Sequence, residues 1–429
     1  FLNILETAPD WNLSRNRYWA SVIPVWKCSC GKMKVIGSVD ELRKEAINFP
    51  KKIDLHKPTM DKVELKCDCG KKMQRVPEVL DCWFESGSMP FAQVHYPFER
   101  KGWFEKHFPG DFVAEYIAQT RTWFYYMLII SAVLFEKQPF KNVVSTGTIV
   151  AEDGEKMSKS KGNFTDPDKI ISKYGADALR FYLLSTPVMA AEDLKFSDKG
   201  VEDIYKKVIL LLYNSLNFYS FNLSSAKPAI KPKLSLLDKW IYSRLAELNK
   251  SVTLELEAYN TIGACRAISL MVDDLSTWYI RRSRDRFNED SENAIAVLRG
   301  VLNELAVIIA PVLPFVAEVI YRTVTDGKKS VHLESWPKAG KIDEKLHNQM
   351  NLAREIVSLT LKERDNKKIT LRQPLQKITV SGAKLDKEYH EIVANESNIK
   401  EIKFASGKEL SVELDTVITP ELEAEGFAR

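Results

Sequence analysis

Four of the six cysteines fall in two near-identical runs, Cys28-Ser29-Cys30-Gly31-Lys32-Met33 and Cys67-Asp68-Cys69-Gly70-Lys71-Lys72-Met73. No other local feature constrains the fold as much, because four thiols that share one ion must be brought to one point. Glycine after each second cysteine permits the tight turn that aims two thiolates at a metal, and the neighbouring lysines offset their charge. The expectation is a closed, structural Zn2+ site held by Cys28, Cys30, Cys67 and Cys69, whose four ligands leave no position for a substrate. Disulfides or unliganded thiols are the alternatives, since one residue rather than the commoner two separates each pair. Cys82 and Cys265 stand alone.

A second short signal is Lys156-Met157-Ser158-Lys159-Ser160. It follows a strand-like run (143–150) and the acidic loop 151–155, and precedes a helix-like segment (167–184). Two lysines three apart with hydroxyls between them make a cationic clamp suited to a triphosphate in its transition state. A solvated basic loop would explain most such clusters equally well, so the rest of the chain must decide.

With 429 residues, two to four domains are expected. The net charge of +4, from 62 basic and 58 acidic residues, is too balanced to mark a polyanion-binding protein, so any nucleic-acid contact must come from local patches. No apolar run suits a membrane span: 127–135 is short, and 305–321 is interrupted by Pro311, Pro314 and Glu318. Without a signal peptide the expected location is cytoplasmic. Phe1 and the helix-like 420–426 just before Arg429 read as cut ends.

The cysteine region, 28–80, encloses a helix-like piece at 39–46 capped by Ser38. From 81 to 184 strand-like runs (112–116, 143–150) alternate with a helical run (119–135), which argues for a parallel sheet with ligands beyond its carboxyl edge. The pattern then turns helical and dissolves into a Ser/Pro/Lys-rich stretch at 222–232. Amphipathic stretches at 237–256, 259–287, 292–310 and 314–324 imply an antiparallel bundle. A further helix (343–364) and strand-like 377–380 and 411–417 form a small α+β tail.

Together these segments resemble the class I aminoacyl-tRNA synthetases, most closely their isoleucine-specific, eukaryote-like branch. The resemblance rests on residues 10–19 (DWNLSRNRYW), 81–90 (DCWFESGSMP), 115–123, 156–163 (KMSKSKGN) and 278–287 (WYIRRSRDRF). It implies an α/β plus all-α architecture: the C-terminal half of a Rossmann-type catalytic domain (1–195) with a zinc-knuckle insertion, and a connecting stem (196–235). A helical anticodon-binding bundle (236–337) and a truncated α+β region (338–429) would follow.

The implied activity is isoleucine–tRNA ligation with ATP and Mg2+, in a monomer whose partners are isoleucine, ATP and tRNA(Ile), with no membrane. Lys156 and Lys159 match the lysines that stabilise the β- and γ-phosphates, with Met157, Ser158 and Ser160 completing the ATP loop. Glu115 matches an aminoacyl-adenylate contact, with Gln119 expected one helical turn later on the same face; taken alone, Glu115 reads equally well as a helix-start carboxylate. Trp83 and Trp123 match the indoles that wall the isoleucine side chain, although an isolated tryptophan is usually core. Arg281, Arg282, Arg284 and Arg286, behind Trp278 and Tyr279, suggest phosphate and base contacts to tRNA. The alternative for them is a solvated face paired with Asp273, Asp274 and Asp285.

Departures matter too. None of the six histidines sits in the family's His-x-Gly-His context, so half of the ATP site is absent and the chain is expected to be inactive alone. Ala118, Thr120 and Thr122 stand where many relatives have Asp, His and Gly, and Thr146 where many bacterial relatives have histidine before glycine. Nothing resembles the threonine-rich editing site that isoleucine-against-valine selection, the standard example of one-methylene discrimination, requires. A non-catalytic tRNA-binding paralogue and a valine-specific ligase are the rival readings.

Overall fold

The computed structural model describes residues 2–158, 160, 162–224, 226–325, 327 and 329–428. The chain divides into two compact units, one of residues 1–148 with 190–194 and one of 149–189 with 195–429.

The first unit contains the cysteine-bearing ribbon, a four-stranded antiparallel sheet built from two hairpins. Val25–Cys28 turns into Met33–Val35, Leu65–Lys66 turns into Lys72–Arg75, and the two longer strands pair in the middle. Alternation along the strands sends Trp26, Cys28, Leu65, Met73 and Arg75 inward and Lys27, Lys66, Lys72 and Gln74 outward. Between the hairpins lies helix Val39–Glu45, where the Ser38 side chain accepts from the Glu41 amide at 3.1 Å. Trp26, Ile36, Leu42, Met60, Val63, Leu65 and Met73, with Cys28 and Cys67, form the ribbon's small core.

The same unit holds a parallel strand pair, Gly110–Tyr116 and Phe140–Thr146, linked through helix Trp123–Phe135. Its core is Val113, Phe124 and Met127. The sheet is open elsewhere: Phe112 is 57% and Val143 51% exposed. Two expected elements are shorter than their sequence pattern. The helix starts at Trp123 rather than 119, because Thr122 (φ −133°, ψ −108°) separates it from a 3-10 turn, Ile117–Arg121. The strand expected at 143–150 breaks at Gly147, where a Cβ would lie 1.9 Å from the Glu192 carbonyl oxygen. Gly147→Ala is therefore expected to cost roughly 1–3 kcal/mol, by overpacking against rigid backbone, as read from denaturant unfolding.

In the second unit, Pro167–Tyr174 and Ala176–Leu184 are separate helices, divided at Gly175 where one helix was expected. The bundle comprises Leu210–Leu223, Leu236–Glu257, Thr261–Asp273, Ser291–Ile309 and Pro314–Val324, and helix Glu344–Asn366 leads to the tail. Asp177, buried in Ala176–Leu184, accepts the Val316 amide at 2.7 Å; burial pushes its carboxyl above the usual carboxylate range. The expected helix 259–287 is interrupted by a π-helical stretch, Asp274–Ile280, and a turn at 283–285. The tail sheet has a central strand, Leu375–Ser381, parallel to Ile399–Ala405 and antiparallel to Ser411–Leu414.

Candidate functional site

The two hairpin turns of the ribbon are superimposable in their bonding. In one, the Cys28 amide donates to Lys32 O and Gly31 to Cys28 O, both at 2.9 Å; in the other, Cys67 donates to Lys71 O and Gly70 to Cys67 O at 2.9 Å. Gly31 (φ +88°) and Gly70 (φ +81°) supply the left-handed residue each turn needs. The turns face one another, with Cys28 Sγ 3.6 Å from Cys69 Sγ and Cys30 Sγ 3.7 Å from Cys67 Sγ. All four sulfurs lie within 4.8 Å of one another. A tetrahedral Zn2+ with bonds of about 2.3 Å requires sulfur–sulfur edges of about 3.8 Å, so the donor set fits that ion, while a disulfide would need about 2.05 Å. The Cys30 amide and the surrounding thiols bring Cys28 down to about 6. Cys67 also receives an amide hydrogen bond, from Cys69, yet burial and the neighbouring sulfurs push it up to about 12.

Glu115 sits at the carboxyl end of strand Gly110–Tyr116, opposite Ser145 across the parallel ladder, where ligands of such sheets gather. It is exposed rather than buried and lies on a strand rather than at a helix start. Gln119, in the 3-10 turn, therefore does not stand one helical turn after it on a shared face; the ladder holds 115 extended. Instead the Gln119 Oε1 accepts from Thr122 Oγ1 at 2.5 Å and from the Trp123 amide at 3.1 Å, capping the helix that follows.

Trp123 opens that helix and donates from Nε1 to Ser86 O at 3.0 Å, which fastens it to helix Cys82–Gly87. Its ring lines an apolar cavity of about 370 Å³ with Met89, Phe112, Ala114, Met127 and Phe140. Trp83 is not among the walls. It stacks on Tyr126 with ring centres 5.7 Å apart, so the two indoles are carried by packed helices but do not face one cavity.

The lysine loop belongs to the second unit. Val150 bridges to Lys156 across the turn 151–155, with Gly154 (φ +87°) donating to Ala151 O at 2.8 Å. Asn163 then ties the loop into a ring: its Oδ1 accepts the Ser158 amide at 2.9 Å and its Nδ2 donates to Lys156 O at 3.3 Å. The Ser158 and Ser160 hydroxyls are 2.7 Å apart. Met157 and Asn163 line an open cavity of about 820 Å³ with Asp198 and Lys199. Lys159 lies outside the described residues. The sequence reading gave Asn163 no role; an asparagine directly after Gly162 was the available turn signal.

The arginines are more committed than expected. Arg281 Nη2 and Arg282 Nη1 share Glu396, at 2.5 and 2.7 Å. Arg286 bonds buried Asp238 at 2.6 Å, and Arg284 alone of the four forms no ion pair among the described residues. Asp274, expected to pair with this cluster, takes Arg244 at 2.7 Å and Arg354 at 2.5 Å instead. Tyr279 is fully buried and Trp278 is 7% exposed, with three guanidinium groups within 5.8 Å of its ring centre, so neither offers a base-stacking surface.

Comparison with known proteins places these features. Residues 1–195 match the family described as tRNA synthetases class I (I, L, M and V), and residues 238–379 match the anticodon-binding domain of tRNA ligase. The isoleucine–tRNA ligase of Clostridium tetani (strain Massachusetts / E88) is 42% identical over all of this chain, and that of Chlamydia trachomatis serovar D is 43% identical over 94% of it. The chain spans 43% and 40% of the length of these two relatives. The LeuRS in a LeuRS–tRNA–LeuAMS ternary complex from Agrobacterium radiobacter K84 has the same fold, at a TM-score of 0.58 and 20% identity over 96% of this chain and 53% of that one.

Proposed function

The chain belongs to the class I tRNA synthetase family, and on that premise we propose that it serves an isoleucine–tRNA ligase. The observation that carries the reading is the identity to isoleucine–tRNA ligases along the whole chain, joined to a lysine loop held in a defined ring by Asn163. In this reaction an isoleucine carboxylate oxygen attacks the α-phosphorus of ATP, the bond to the β-phosphate oxygen breaks, and pyrophosphate leaves. The 3′-terminal ribose hydroxyl of tRNA(Ile) then attacks the acyl carbon and AMP leaves.

Such chemistry depends on positioning and charge neutralisation more than on a protein nucleophile. Lys156 and Lys159 serve as cations for the leaving phosphates, with Met157, Ser158 and Ser160 shaping the loop; Mg2+ supplies further phosphate neutralisation when bound. Glu115 offers a carboxylate to the α-ammonium or a ribose hydroxyl, and the Gln119 amide nitrogen a donor nearby. Trp123 presents an apolar wall suited to an aliphatic side chain, and Trp83, stacked on Tyr126, would complete the wall matched by the family only by turning toward it. Cys28, Cys30, Cys67 and Cys69 hold a structural Zn2+. Of the arginines, Arg284 is the freest to meet a tRNA phosphate, and Arg281 and Arg282 would do so by exchanging Glu396 for it. We place the enzyme, as a monomer, in the cytoplasm; no helix among the described residues is long and apolar enough to cross a membrane.

Isoleucine-dependent ATP–pyrophosphate exchange by the gene product carrying these residues tests the reading. Lys156→Ala is expected to lower the exchange kcat by roughly 10²–10³-fold, the scale for losing one preorganised electrostatic contact to a transition state. Exchange driven by valine better than by isoleucine, or exchange indifferent to Lys156, would overturn it.

A further inference from the structure

The ribbon carries a charge that the rest of the chain does not. From Trp26 to Arg75 there are 13 Lys/Arg and 7 Asp/Glu, a net of +6 in a chain whose total is +4, so the remainder sums to −2. Four thiolates around a divalent ion would subtract two, and the ribbon would still hold the whole chain's surplus.

The sheet sorts that charge onto one face. Register places Lys27 opposite both Met33 and Gln74, and Lys66 opposite Lys72. All five of these side chains are exposed, together with Val35, while the other face packs Trp26, Leu65 and Met73 into the ribbon core. None of the four strands contains an aspartate or glutamate. Lys72 meets Glu64 at 2.6 Å from the sheet margin, whereas Lys27 and Lys66 form no ion pair among the described residues. Like charges directly opposite on a ladder are destabilising; Glu64 offsets that cost at Lys72, and a bound anion would offset it at Lys66. Amphipathic Gln74 and apolar Met33 beside the lysines suit a ligand with both phosphates and sugar or base surfaces.

We propose that this open face of the ribbon docks the phosphodiester backbone of the tRNA, with Lys27, Lys66 and Lys72 each neutralising a phosphate. The inference rests on the tRNA-ligase reading and adds a second RNA contact, outside residues 238–379. Contacts of this kind are independent of sequence, and each releases about one counterion.

Fluorescence anisotropy of the 429-residue chain with an isoleucine-tRNA transcript, from about 50 to 200 mM KCl, is the test. Simultaneous Lys27→Ala, Lys66→Ala and Lys72→Ala is expected to weaken binding roughly tenfold near 100 mM and to reduce the salt slope by about three. Replacing all three by arginine is expected to restore both, and bound zinc per chain shows that each variant keeps its ribbon. If the unaltered chain binds no tRNA, the docking face is overturned, while isoleucine-dependent exchange by the whole gene product decides the ligase reading separately. If it binds and the triple alanine variant matches it in affinity and slope, the docking face alone is overturned, and Met33 and Val35 then mark it as a protein-packing surface.

Discussion

Removing the metal, by chelation or by Cys67→Ser, is expected to unfold the ribbon while leaving the helical bundle intact. The argument starts from size. The ribbon core has seven apolar side chains besides Cys28 and Cys67, and those two cysteines are themselves part of it. A sheet this small buries too little apolar surface to offset the entropy of ordering its strands, which is why comparable modules depend on a metal. Without the ion, the sulfurs that now approach to 3.6 and 3.7 Å become repelling thiolates or desolvated thiols. Limited trypsin digestion reads the outcome: cleavage between Lys27 and Lys72 should accelerate at least tenfold on chelation, while the bundle fragment survives. A ribbon equally resistant with and without metal would refute the dependence. Binding needs thiolates, so a metal entering this site displaces thiol protons and its affinity is expected to fall as pH is lowered.

The second large effect is expected at Asp238. This carboxylate has no exposed surface, and its two oxygens take three hydrogen bonds, from Tyr279 Oη at 2.7 Å, from the Ser235 amide at 2.7 Å and from Arg286 Nη1 at 2.7 Å, with the same nitrogen 2.6 Å from the second oxygen. It also completes the capping box that starts helix Leu236–Glu257. Asp238→Ala would leave the Tyr279 phenol buried without its partner, remove the helix cap and strip Arg286 of its buried carboxylate, leaving it Asp290 and the Lys233 carbonyl; a loss of about 2–4 kcal/mol is expected, against about 1 kcal/mol for Tyr279→Phe. Tyr279 is itself held well above the ordinary phenol value, by burial first and then by the Asp238 charge, so it remains a donor throughout the accessible pH range. Urea unfolding of both variants checks the ratio; equal losses would mean that packing, not the ion pair, holds the helix start.

What could be read from the sequence was what is local. The cysteine pairs declare their turns within a few residues, and Ser38 caps its helix by a side-chain bond to the residue three positions on. Apolar periodicity located the long helices for the same reason. What could not be read depended on distant partners. That Arg282 is held by Glu396, 114 residues away, could not be read from its neighbours in the chain. Likewise Gly147 hides a strand break set by the backbone of Glu192. Strand Ile399–Ala405 escaped detection although Ile402 and Phe404 alternate with lysine and glutamate, because both it and its helix are too short to outweigh the surrounding charge.

The parallel pair Gly110–Tyr116 and Phe140–Thr146 carries a consequence for the order in which the chain gains structure. Its ladder joins residues about 30 positions apart, and it can close only after helix Trp123–Phe135 has folded back. With Phe112 and Val143 more than half exposed, little apolar burial rewards that closure. These strands should therefore form late and exchange their amide protons early, and in dilute urea they should be the first place where two molecules stick together.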